Sequence, residues 1–163
     1  MGDNLKGRSI LSLAWGVKLS FRAYVESSGG SISTANGASR LSDGGFEFDP
    51  AEGNDLVLGD DVSGRGVFSG EVKFDAHGGM LAVFMAEPVI EMTSKGLMLS
   101  VADAVSRKWR VEVAQLDLSA LVRSGPDEVS IPTSLTIEGI QWLGDHYPFK
   151  TPLDPVLLRL APL

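Results

Sequence analysis

The chain contains no cysteine, which removes disulfides, thiolate metal sites and cysteine nucleophiles together. Only two histidines are present, so a three-histidine zinc site cannot be built, and no His-Glu-x-x-His helix occurs. Basic charge is also scarce. Lys and Arg number 14 against 21 Asp and Glu, a formal net charge of −7, whereas a nucleic-acid binder needs a basic footprint to neutralise phosphates. No glycine-rich loop runs into Lys-Ser/Thr, no dinucleotide fingerprint lies between a strand and a helix, and no G-x-S-x-G elbow is present. The acidic runs "DPAEGND" and "GDD" lack the alternating oxygens and closing glutamate of a calcium loop and read as solvated loops.

Long apolar runs are missing as well. The longest near the N-terminus, "ILSLAWGV", is far short of the roughly 20 residues that span a membrane. It follows Lys6 and Arg8 in the manner of a signal peptide, but no small-residue cleavage site comes after it. The chain as written is therefore expected in the cytoplasm, or at the cell surface or outside the cell if it is trimmed from an exported protein.

What remains is an ordinary globular composition, 44% hydrophobic and 21% charged over 163 residues. That length suits one domain, 1–163, with enough surface to bury for a core and one pocket. Lys18, Arg22 and Glu26 recur every four residues and predict a helix over 10–26 with these three on its solvated face. Leu13, Val17, Ser20, Phe21 and Tyr24 then fall on the face turned inward. "ESSGG" closes the element with glycine, as helix C-termini prefer.

Beyond residue 30 the pattern changes to short runs of alternating polarity separated by turn residues. In "GVFSGEVKF", Phe68, Val72 and Phe74 share one face while Ser69, Glu71 and Lys73 share the other, the signature of a half-buried antiparallel strand. Similar runs follow through "MLAVFMAEPVIEM", "KGLMLSVADAV" and "KWRVEVAQLDL", punctuated by "HGG", "SKG" and "SGPDE". Near the end, "SLTIEGIQWLG" reads as a short helix capped by Thr136 with Glu138 in its first turn, and "LDPVLLRL" as a closing strand. The expected fold is mainly β: an antiparallel sandwich or barrel-like domain with an N-terminal helix and a short C-terminal helix.

The residues able to carry chemistry are few. Tyr24 sits on the first helix and His77 in the turn "FDAHGGML" between two strands. Alone, Tyr24 reads as a core tyrosine and His77 as a turn histidine. Met80 and Met85 are apolar fillers before they are ligands, and His146 in "GDHYPF" reads as an exposed turn.

Taken together, "LAWGVKLSFRAYVES", "LSDGGFEFDP", "GRGVFSGEVKFDAHGGMLAVFMAEPVIEM" and "LTIEGIQWLG…YPFKTPLDPVLLRL" resemble the Htaa domain, a haem-binding module of actinobacterial haem-uptake proteins. The likeness extends over nearly the whole chain. It implies ferric haem b as cofactor, with Tyr24 as axial iron ligand and His77 hydrogen-bonded to it. Ser20 is implied near the haem, Phe149 as an aromatic wall with Tyr147 as its rival, and Val17, Phe21 and Met80 as apolar lining. The implied partners are haem and other haem-transfer proteins, with no nucleic acid and no membrane span in this chain.

The residue types suit that chemistry. A phenolate is a hard anion that favours ferric iron, and a hydrogen bond to the charged form favours ionisation. The implied role is haem capture, transfer or storage without turnover. A haem-dependent enzyme of peroxide or redox chemistry is the alternative, since tyrosinate is also the axial ligand of catalase, with His146 its candidate distal acid–base group. A haem-free β-sandwich binding module, in which Tyr24 and His77 are structural, is the third reading.

Overall fold

A computed structural model describes residues 7–162. The chain opens with strand β1 (Arg8–Trp15), followed by helix α1 (Leu19–Ser27), β2 (Ser31–Ala35), β3 (Ala38–Arg40), β4 (Phe46–Pro50), β5 (Val57–Leu58), β6 (Val62–Ser63), β7 (Arg65–Ser69) and β8 (Glu71–Ala76). A 3-10 turn over His77–Gly79 leads into the long strand β9 (Leu81–Thr93), then β10 (Gly96–Ala102), β11 (Arg110–Leu116), β12 (Val122–Gly125), β13 (Glu128–Leu135), helix α2 (Ile137–Trp142) and β14 (Pro152–Leu160).

Neighbouring strands pair antiparallel along the path β4-β7-β9-β10-β11-β13-β14-β1, and β1 pairs β4 in turn. Closure removes the free edges that an open sheet would expose. The inward faces meet in one core containing Leu13, Trp15, Phe46, Phe48, Phe68, Phe74, Ile90, Leu99 and Leu158. The alternation read in 67–74 is present, with Phe68, Val72 and Phe74 buried. It is divided between β7 and β8 at Gly70, whose carbonyl accepts from Glu87 N at 2.9 Å. β9 is long enough to pair with both pieces, through 89–91 and 81–86.

The N-terminal element differs from the expected helix over 10–26. Residues 8–15 form a strand between β14 and β4, and only 19–27 are helical. The strand pattern is disguised because Arg8 and Ser12 point inward while Leu11 points out. Arg8 is tolerable there because its guanidinium donates to Ala161 O at 2.8 Å and Pro126 O at 3.1 Å and pairs with Asp127, the condition for burying a charge.

α1 also turns a different face inward. Phe21, Arg22 and Val25 are buried, so Arg22 is not on a solvated face, and Ser20 and Tyr24 face solvent rather than the core. Phe21 packs on Phe74 with ring centroids 5.2 Å apart, and Phe74 on Phe46 at 5.7 Å. α2 is capped as expected, with Gly139 N donating to the Thr136 hydroxyl at 2.9 Å. It closes one end of the barrel by stacking Trp142 on Trp15, rings 9° from parallel at 6.5 Å, and by donating Trp142 Nε1 to Phe84 O at 2.9 Å. Among the described residues no helix is long and apolar enough to cross a membrane.

Candidate functional site

The site lies where α1, the turn after β8 and the loop between α2 and β14 converge. Phe21 and Phe74 hold α1 against β8. Three residues further along both elements, the Tyr24 hydroxyl meets His77 Nε2 at 2.6 Å. An aromatic contact in the core thus sets up a polar contact at the surface. Which partner donates is set by the imidazole tautomer; with Nε2 protonated, the imidazole donates to the Tyr24 oxygen.

His77 reaches this position through a backbone in the left-handed region (φ 55), which non-glycine residues seldom occupy. The 3-10 turn holds it there, with Met80 N donating to His77 O at 3.2 Å. Tyr24 is 43% exposed, so its ring presents a face to solvent rather than filling the core. Ser20, one helical turn earlier on the same side, is exposed too.

Beside this pair is an open cleft of about 230 Å³ lined by Phe21, Tyr24, His146 and Tyr147. Tyr147 packs edge-on against Phe21 at 6.5 Å, and Lys18 Nζ sits 5.6 Å from the centre of its ring. The chain has two tyrosines and two histidines in all, and all four gather here. Met80, following the His77 turn, is 91% exposed, and Phe149 on the opposite loop is 49% exposed. Both are exposed apolar side chains on the loops that carry His77 and His146.

Of the sequence-predicted residues, Tyr24 and His77 touch, Phe21 backs the cleft, and Ser20, Met80 and Phe149 are exposed. Val17 is wholly buried in the core with Met85, so no face of it reaches the surface. Tyr147, the rival to Phe149, is the one in the cleft wall. His146 lines the cleft as well; the useful sequence signal was the "HY" pair in a chain with so few of either residue. Among the described residues no three His, Cys, Asp or Glu side chains are grouped to hold a metal ion. Among the described residues, the Tyr24 hydroxyl and His77 Nε2 form a direct side-chain contact at this site.

A family model described as Htaa matches residues 11–159. The chain belongs to the Htaa family. The crystal structure of the C-terminal domain of HtaA from Corynebacterium glutamicum is similar at 26% identity and a TM-score of 0.70, covering 94% of this chain and 99% of that one. The N-terminal domain of the same protein is similar at 25% identity and a TM-score of 0.71, covering 96% and 99%. The heme binding protein HtaB from C. glutamicum shares the fold at 19% identity and a TM-score of 0.63, covering 94% and 93%. No curated protein matches in sequence.

Two stretches that carry the Htaa resemblance, "AWG" near the start and "LDPV" near the end, meet at Asp154. Its carboxylate accepts from Leu19 N at 2.9 Å and from Arg22 Nη1 at 2.5 Å. It thereby supplies the helix cap that Lys18 does not and a negative charge at the helix N-terminus. Its backbone carbonyl accepts from Trp15 Nε1 and from the Thr133 hydroxyl, both at 2.8 Å, while its N–H donates to Val17 O at 2.8 Å. Gly16 belongs to the same device. A Cβ there would fall 2.3 Å from Arg22 Nη1 and 2.5 Å from Asp154 Oδ2, so only glycine lets the ion pair pass over the corner. In this Htaa chain the start of the helix that carries Tyr24 is pinned by the last strand.

Proposed function

We propose that this Htaa domain binds ferric haem b through the Tyr24 oxygen, with His77 hydrogen-bonded behind it, for haem capture, transfer or storage. The observation that carries the reading is the 2.6 Å contact between the hydroxyl of a solvent-facing Tyr24 and His77 Nε2. Family membership supports it, as does the description of HtaB, a protein of the same fold, as heme binding.

The residues suit such a group. Tyr24 offers a hard oxygen donor at a surface it shares with Tyr147 and His146, and the exposed Met80 and Phe149 are apolar side chains on the loops that follow His77 and His146. Bound haem would contribute an iron that accepts the phenolate. The work of the chain is to present that oxygen, to hold a proton at His77 Nε2 once the phenol has lost its own, and to cover the porphyrin with apolar side chains. A second-shell hydrogen bond of this kind orients a ligand and tunes its basicity. In this reading the exposed Ser20, one turn before Tyr24, donates from its hydroxyl to a haem propionate.

Titration of the purified chain with hemin tests the proposal. Saturation near one equivalent with a shifted Soret band supports it, and spectra that remain those of free hemin overturn it.

A further inference from the structure

We propose that Arg22 and Arg40 form a binding site over Gly44 for a small oxyanion of the carboxylate or phosphate class. None of these three residues lines the Tyr24 cleft, so the site stands independently of haem binding. The Arg22 guanidinium uses its two edges differently. Nη1 donates to Gly16 O at 2.8 Å and to Asp154 Oδ2 at 2.5 Å. On the other edge, Nη2 has only the Asp43 carbonyl, at 3.4 Å, and Nε donates to no other described residue. That edge is the fork through which an arginine takes an oxyanion by two parallel N–H···O bonds. Arg22 is only 5% exposed, and a charged group so buried ordinarily has its donors filled. The idle edge is the anomaly.

Gly44 keeps that edge clear. A Cβ at Gly44 would lie 3.2 Å from Arg22 Nη2, 3.3 Å from Arg22 Nε and 3.6 Å from Arg40 Nη2. Three donor nitrogens from two arginines therefore surround one point that no side chain fills. The left-handed backbone of Gly44 (φ 93) also disfavours any residue that would fill it.

The second arginine is anchored but not used up. Arg40 Nε donates to Gly44 O at 2.8 Å, and its guanidinium carbon lies 5.3 Å from the centre of the Phe46 ring. Its pairing with Glu26 is long, 3.3 Å at both contacts, and the Glu26 side chain is 51% exposed. An exposed pair of this kind is weak, so Arg40 Nη2 can turn to a second anion. Asp43 offers the site its carbonyl, while its carboxylate accepts from Gly45 N at 2.8 Å. Access is open despite the burial, because Arg22 lines a cavity of about 220 Å³ with Leu41, Asp43 and Gly45.

The experiment titrates the full chain with sodium phosphate and, separately, sodium acetate, against sodium chloride at matched pH and ionic strength. NMR follows the arginine Nε–H resonances. The expected result is a saturable shift of the Arg22 Nε–H resonance with phosphate, acetate or both, and none with chloride. A response to phosphate alone assigns a tetrahedral oxyanion, and a response to acetate assigns a carboxylate. Arg40→Gln removes one charged donor and leaves the Arg22–Asp154 pair in place. Affinity there is expected to fall about tenfold, the low end for losing a hydrogen bond to a charged group. The proposal is overturned if neither anion shifts the Arg22 resonance saturably, or if Arg40→Gln binds as the parent does.

Discussion

The Tyr24 hydroxyl and His77 Nε2 lie 2.6 Å apart, three residues beyond the Phe21–Phe74 contact on each of their elements. The polar pair inherits its geometry from the aromatic pair beneath it. Tyr24 is therefore presented by a packed core, as its proposed role as an iron ligand requires.

Replacing His77 with alanine removes the hydrogen-bond partner and leaves the phenol in place. Hemin affinity is expected to fall about 10–100-fold, as for other losses of a second-shell partner, while the spectroscopic signature of tyrosinate ligation persists. A spectrophotometric hemin titration gives the affinity.

Asp154→Ala leaves the Arg22 guanidinium, with its side chain 6% exposed, without its counter-charge. Breaking a buried pair from one side costs about 3–5 kcal/mol. The lower end applies because the Asp154 side chain is itself 26% exposed. Denaturant unfolding should show that loss. Hemin affinity should fall with it, because the start of α1 is no longer pinned.

Phe21→Ala tests whether the aromatic contact positions Tyr24. Phe21 is 1% exposed, and truncating a buried phenylalanine costs about 3–5 kcal/mol. Thermal unfolding should register the loss, and hemin affinity of the folded fraction should fall as well, because Tyr24 loses the Phe21–Phe74 contact that positions it.

A pH-dependent term comes from a different part of the barrel. Arg107 Nη2 contacts Glu71 Oε2 at 2.5 Å and Arg107 Nε contacts Glu87 Oε2 at 2.6 Å. Chiefly through the Arg107 hydrogen bond, the Glu71 carboxyl is held below the ordinary glutamate value of 4.5. A depressed folded-state value stabilises the protein fully above that ordinary value, and the contribution disappears as pH falls through the lowered one. In Arg107→Ala, the Glu71 titration midpoint measured by NMR should rise toward 4.5, and stability should decline less steeply with pH below 4.5.

Much of the barrel was legible because its strands alternate cleanly. Phe68, Val72 and Phe74, the Thr136 cap and the closing strand from Pro152 all follow local rules. β1 was misread as helix because Arg8 and Ser12 point inward and Leu11 outward, which erases the two-residue period. The spacing of Lys18, Arg22 and Glu26 suggested a solvated face because nothing local reveals that Arg22 is matched by Asp154, far along the chain. The same holds for the cleft. Tyr24 and His77 could be singled out as residue types and joined through the Htaa resemblance, but the approach of His146 and Tyr147 depends on a loop folding back over β9. Local sequence rules do not encode that contact.

Resonance Raman spectroscopy of the hemin-loaded chain tests the central claim most directly, because phenolate ring modes are enhanced only when a tyrosine oxygen is bonded to iron. These modes are expected in the parent chain and absent from Tyr24→Phe, which keeps the ring and loses only the oxygen. Hemin-loaded Tyr24→Phe with unchanged phenolate modes and unchanged affinity would contradict the assignment of Tyr24 as the iron ligand.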